Sequence, residues 1–159
     1  MAMILPGWLT EALQYLGYNW PTSNEDILHA NAQAFRDAGR EADSIIGDLQ
    51  AALHHIQANN SGEASAAFLG YMRSDDSNLS SLEDFSDAAE IIATGFDVAS
   101  GVVVAFKVAV IAQLVILAAA IAAAVASFGL ASGAAVLARE AARRAINAAL
   151  EVAMQELMG

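Results

Sequence analysis

The chain has 159 residues, 57% of them hydrophobic, which is enough apolar material for a sizeable core, and its lack of cysteine excludes disulfide frameworks, thiolate metal sites and cysteine nucleophiles. A formal net charge of −11 argues against binding nucleic acid, and against adhesion to anionic lipid by charge alone. The charge is segregated: residues 1–97 hold fifteen acids against three bases, Arg36, Arg40 and Arg73, whereas Val98 to Ala138 holds a single charge, Lys107.

At the amino terminus, Met1 to Leu9 is apolar, but no basic residue precedes it and none occurs before Arg36. It does not read as a cleavable Sec signal peptide, so export would follow a Sec-independent route. Pro6-Gly7-Trp8 and Asn19-Trp20-Pro21 bracket a short predicted helix over Leu9 to Leu16, with Leu9, Leu13 and Leu16 on one face. Ser23 followed by Asp26 approximates a capping box and predicts the start of a long helix. In that helix Leu28, Phe35, Ala42, Leu49 and Ile56 recur every seven residues beside Ala32, Gly39, Ile46 and Leu53, the stripe of a helical bundle.

The turn Asn60-Ser61-Gly62 ends it, because asparagine and glycine tolerate the left-handed backbone of a helix terminus. A short helix from Glu63 to about Arg73 follows, with Ala64, Phe68, Tyr71 and Met72 as its expected buried side. Ser81 and Asp84 form a second near capping box that opens the longest helix. Its expected seam is Leu82, Phe85, Ala89, Ile92, Phe96, Ala99, Val103, Phe106 and Val110, in steps of three and four.

Beyond Asp97 that helix is apolar all round, which calls for burial on every side or for lipid. Val108 to Ala126, with Leu114 and Leu117 inside it, is an uncharged run of 19 residues, close to the roughly 20 that span a hydrocarbon core. Gly129 to Gly133 reads as a G-x-x-x-G turn and helix start, a spacing shared by membrane helix pairs and close-packed soluble helices. The last predicted helix, Ala134 to Met158, sets Arg139, Arg143, Asn147 and Glu151 opposite Ala142, Ile146, Ala149, Ala153 and Leu157. The expected fold is all-α: an elongated bundle of long antiparallel helices, one domain over 1–159, with hairpins over 5–73 and 80–159.

No catalytic, cofactor-binding or metal constellation emerges, so the chain reads as a non-enzyme. Among the histidines only His29 has acids at helical spacing, Glu25 and Asp26, and a surface ion pair is the ordinary outcome there. Adjacent His54 and His55 point apart on a helix. The acids Glu83, Asp84, Asp87 and Glu90 lack a glycine-turned loop and read as a solvated helix face.

Trp8-Leu9, Gly17, Trp20-Pro21, Glu25-Asp26, Leu28, Ala34-Phe35-Arg36 and the turn Ser61-Gly62-Glu63-Ala64 leading to Ala67-Phe68 occur in an order that resembles the WXG superfamily. These are the helical-hairpin substrates of type VII secretion, and the likeness is closest to the longer forms that head actinobacterial polymorphic toxins. It spans Leu5 to Arg73, with Trp8, Trp20 and Pro21 as anchors. One departure is that Asn60-Ser61-Gly62 stands where the family places Trp-x-Gly. The resemblance implies a secretion signal, Tyr-x-x-x-Asp/Glu, after the second helix, and Tyr71 with Asp75 matches it.

The resemblance further implies a secretion-targeting or adaptor domain of a secreted toxin or effector, associating through helices with a small type VII partner protein or with itself, and engaging the secretion machinery. The product would be secreted or held at the cell envelope. The apolar half is expected to rest as a soluble, buried hairpin. A membrane-inserting hairpin that forms a channel or pore is the alternative, and the family includes proteins thought to form channels.

Overall fold

The computed structural model describes residues 2–127 and 132–158. Five helices account for most of them: α1, Gly7–Tyr15; α2, Glu25–Asn59; α3, Glu63–Met72; α4, Asn78–Ala126; and α5, Ser132–Met158. No strand occurs among the described residues, as the all-α expectation requires. Gly129 lies outside the described residues, and Gly133 falls in the exposed first turn of α5.

Two caps differ from the sequence expectation. Asn24, not Ser23, caps α2, its Oδ1 accepting from the backbone N–H groups of Asp26 at 3.0 Å and Ile27 at 3.3 Å. Helix α4 begins three residues before Ser81, because the Ser77 hydroxyl accepts from the Ser80 N–H at 3.0 Å. Helix α1 ends in a Schellman motif: Gly17 has φ 88°, its N–H donates to Gln14, and the Tyr18 N–H donates to Leu13.

The chain divides into two compact units, residues 1–28 with 98–159, and residues 29–97. In the first unit, Leu5 and the α1 residues Leu9 and Leu13, with Leu16, meet Val110, Leu114 and Leu117 of α4 and Ala142 and Ile146 of α5. Burying these leucines, at about 1.5–3 kcal/mol each, drives the three-helix association.

In the second unit, α2 and α4 run antiparallel. Phe35 stacks on Phe96 with centroids 5.8 Å apart, and the Gly39 backbone lies against Ala89. The heptad stripe read for α2 faces inward: Ala32, Gly39, Ala42 and Leu53 are buried, and Phe35, Ile46, Leu49 and Ile56 are half-buried.

The seam of α4 required correction. Ala89, Ala93, Lys107, Val110, Leu114 and Leu117 are buried along it, with Phe96 and Ser100 half-buried between them. Phe85 and Ile92 of the expected seam are exposed. With the half-buried Val103, spacings of three and four link 89, 93, 96, 100, 103, 107, 110, 114 and 117, so Lys107 occupies a core position.

Helix α3 buries nothing: Phe68 and Tyr71, expected inside, are both exposed. Leu157 of α5 is also exposed. Burial of the apolar half on every side does not hold within one chain either, since only 22% of the most apolar 18-residue window of α4 is covered.

Candidate functional site: a helical docking surface and a buried charge network

The first unit presents an apolar surface. Val108, Val115, Ile116 and Val125 of α4, and Val136, Leu137, Val152 and Met154 of α5, are each at least half exposed. Between α4 and α5 runs a groove of about 290 Å3, floored by Ala105, Ala109, Ala148, Ala149 and Ala153 and flanked by Phe106 and Val152. Alanine leaves room for the larger side chains of an incoming helix, as in knobs-into-holes packing.

Beneath this surface lies the least expected group of the chain. Lys107 is 2% exposed, and its ammonium donates to Glu25 Oε2 at 2.6 Å and to the Ser23 carbonyl at 2.8 Å. The Trp20 ring lies 5.8 Å from the same nitrogen, close enough for a cation–π contact. Glu25 also accepts from the Met3 N–H, while its own carbonyl accepts from the Ser100 hydroxyl at 3.1 Å. The Trp20 indole donates to the Met3 carbonyl at 3.3 Å.

A charge this deep persists only when paired and saturated with hydrogen bonds. The Lys107 hydrogen bond, followed by those from the backbone N–H groups of Glu25 and Met3, holds the Glu25 carboxyl down at about 2, against the desolvation that would raise it. Its place at the start of α2 adds the favourable helix dipole. The network fastens the amino-terminal segment and the α2 start to α4, which gives Trp20-Pro21 a structural reason for its position. Trp8, the other anchor, is exposed on α1.

In the second unit Asn60, Ser61 and Gly62 are exposed between α2 and α3, and Gly62 has φ 106°. That backbone admits glycine and few other residues, so the turn survives without the tryptophan. Tyr71 is 48% exposed at the end of α3, and Asp75 is exposed in the turn beyond it. Since α3 stops at Met72, the two do not share one helix; the Tyr71 carbonyl accepts from the Ser74 N–H and hydroxyl at 2.9 and 2.7 Å. Arg73 between them donates to Gln57 of α2 at 2.6 Å, tying the segment down.

His29 does not pair with Glu25 or Asp26. Its Nδ1 lies 3.0 Å from Asp97 and its other ring nitrogen 3.1 Å from Gln33. Arg36 donates to the same Asp97 at 2.7 Å and to Glu90 at 3.1 Å, and its hydrogen bond is the main cause of the lowered Asp97 pKa. Glu83, Asp84 and Asp87 are solvent-facing. Among the described residues no group of three His, Cys, Asp or Glu side chains could hold a metal ion.

Residues 4–150 match the model of a family described as the WXG100 like domain. The chain belongs to that family. The match extends the likeness from residues 5–73 across nearly the whole chain, bringing α4 and most of α5 into the domain. No curated protein and no solved structure matches the chain. Membership makes this a type VII secretion-related helical protein, of a kind that associates with helical partners or with itself. The WXG100-like fold is thus assembled from an α1/α4/α5 core and a buried ion pair that ties the α2 start to α4 in one unit, and from an antiparallel α2/α4 pair in the other.

Proposed function

We propose that this WXG100-like domain is a non-enzymatic targeting and adaptor module of a type VII-secreted toxin or effector, and that it works through helix–helix association. The observation that carries the reading is the open, alanine-floored α4–α5 groove, surrounded by apolar side chains that the chain itself leaves uncovered. A small helical partner of the same system is the occupant, and Tyr71 with Asp75 is the secretion signal. The exposure of both residues supports that role, because neither is committed to a core.

Changing Tyr71 and Asp75 each to alanine is expected to abolish export through the type VII route and leave folding intact by circular dichroism. Undiminished export of both variants removes the signal assignment.

A second reading, a membrane-inserting hairpin that forms a channel, is favoured by one observation: α4 contains an 18-residue window of mean hydropathy 2.7 with most of its surface bare. Against it, the buried Lys107 pairs with Glu25 at the edge of the uncharged run, and releasing α4 to lipid would leave both charges uncompensated. Light scattering with and without liposomes separates the two. A defined species that ignores liposomes supports the adaptor, whereas co-flotation followed by dye release supports the channel.

A further inference from the structure

A second groove of the first unit, of about 500 Å3, has a chemistry different from the alanine floor. Trp8 and Tyr15 of α1 form one wall, Ile121 and Val136 the others, and Leu117 the floor. Arg139 closes it. The guanidinium lies 4.5 Å from the Tyr15 ring centroid, and its Nε is buried with no hydrogen-bond partner among the described residues.

A buried N–H of a charged guanidinium without an acceptor is costly, and its preferred acceptors are carboxylate and phosphate oxygens. The remaining walls are aromatic and aliphatic, and the groove falls in the range of roughly 300–1,000 Å3 used by small-molecule sites. We propose that this groove binds a single-chain amphiphilic anion, a long-chain fatty acid or a ligand of the same chemistry, with the acyl chain along Trp8, Tyr15, Leu117 and Ile121 and the head group on Arg139.

Charge complementarity selects this occupant over a neutral hydrocarbon, since a hydrocarbon offers the Arg139 guanidinium no acceptor oxygen. Glu11 also lines the groove, and its carboxylate disfavours ligands that carry more than one negative charge. The site is separate from Tyr71, Asp75 and the alanine-floored groove, so it stands or falls independently of the adaptor reading.

The test is equilibrium titration of the full chain with cis-parinaric acid, a fluorescent fatty acid, followed by displacement with palmitate, palmitate methyl ester and hexadecylamine. One equivalent is expected to bind, and palmitate is expected to displace it. The ester and the amine should be weaker by about 10- to 100-fold, the worth of a hydrogen bond to a charged group. Arg139→Leu is expected to weaken binding by the same factor. Because Arg139 also stacks on Tyr15, Val136→Asp provides a second variant at an exposed wall position, where a carboxylate repels the anion and leaves the core untouched. Equal affinity for the ester and palmitate, several equivalents bound, or unchanged affinity in both variants would each overturn the proposal.

Discussion

The two units of this WXG100-like domain use the same helices for opposite purposes. Residues 29–97 hold twelve acids and three bases, net −9 of the chain's −11, and they expose few bare aliphatic patches. Residues 1–28 with 98–159 hold six acids and four bases, and they leave a broad aliphatic surface open. Yet the deepest charge of the molecule belongs to the apolar unit, and its strongest-looking surface ion pairs belong to the acidic one. Position, rather than the number of charges, decides what each contributes, because desolvation makes one buried pair matter more than several solvated ones.

The sharpest way to break this contrast is at Lys107. Lys107→Met leaves the Glu25 carboxylate buried among apolar groups, and Glu25→Gln leaves the ammonium unpaired; each is expected to destabilise the domain by about 3–5 kcal/mol in urea titrations. The double variant, Lys107→Met with Glu25→Leu, should recover most of that loss, since replacing both charges by apolar side chains is often neutral or stabilising. If the single variants behave like wild type, the pair is not sealed from water.

The same pair sets a pH window. The carboxyl of Glu25 titrates near 4.5 when unfolded and at about 2 when folded, so its stabilisation is complete above pH 4.5 and is lost as pH falls toward 2. The stability gap between wild type and Glu25→Gln is therefore expected to be constant from pH 7 to 5 and to close between pH 4.5 and 2. A gap that closes above pH 5 would contradict the assignment.

The intermediate effect tests the acidic unit through its packing. A Cβ at Gly39 would lie 3.4 Å from the Ala89 side chain and 3.5 Å from the Ser86 carbonyl, with no room for anything longer. Gly39→Leu is expected to cost about 1–3 kcal/mol by forcing α2 from α4, whereas Gly47→Leu, with nothing within 4 Å, should cost little. Equal effects at the two positions would show that close helix approach is not what holds this unit.

How far the sequence announced this arrangement depends on the contrast available to each helix. The α2 stripe was legible because charges alternate with apolar residues, so only one face qualifies for burial. In α4 past Asp97 almost every position is apolar, and a step of three or four can be drawn along several faces; the expected seam there ran through Ala99, Val103, Phe106 and Val110, of which only Val110 is fully buried, and it did not include the buried Lys107, Leu114 and Leu117. The informative residue there was Lys107, a lone charge in an apolar stretch, and it marks the core. Helix α3 misled for the converse reason: Phe68 and Tyr71 look like core residues in a ten-residue helix that buries nothing. The open apolar surface of the first unit was visible as excess apolar composition. The Arg139 groove was not, because nothing in the spacing of Trp8 and Tyr15 predicts their meeting with α5.

The smallest expected effect lies in the surface cluster of the acidic unit. Arg36 bridges Asp97 and Glu90, and the shared Asp97 also faces His29, so the arrangement looks stronger than any isolated pair. All four groups are nevertheless in contact with water, Arg36 at 30% and Asp97 at 34% side-chain exposure, and water screens what the geometry brings together. Arg36→Ala is therefore expected to lower the melting temperature less than either Lys107→Met or Gly39→Leu, and the difference from wild type should fade as salt is raised toward 1 M. Asp97 adds an acid limb: its lowered pKa means its contribution is present above about pH 3.8 and declines below it. In a unit carrying net −9, however, protonating the other carboxylates over the same range also relieves repulsion. The wild-type melting temperature should thus change little between pH 5 and 4, and Arg36→Ala, which makes the unit more negative by one charge, −9 to −10, should gain more from acidification than wild type does. A salt-insensitive loss in Arg36→Ala would instead show that the guanidinium acts through packing against α4 and that the acidic unit, like the apolar one, depends on a charge it has largely withdrawn from solvent.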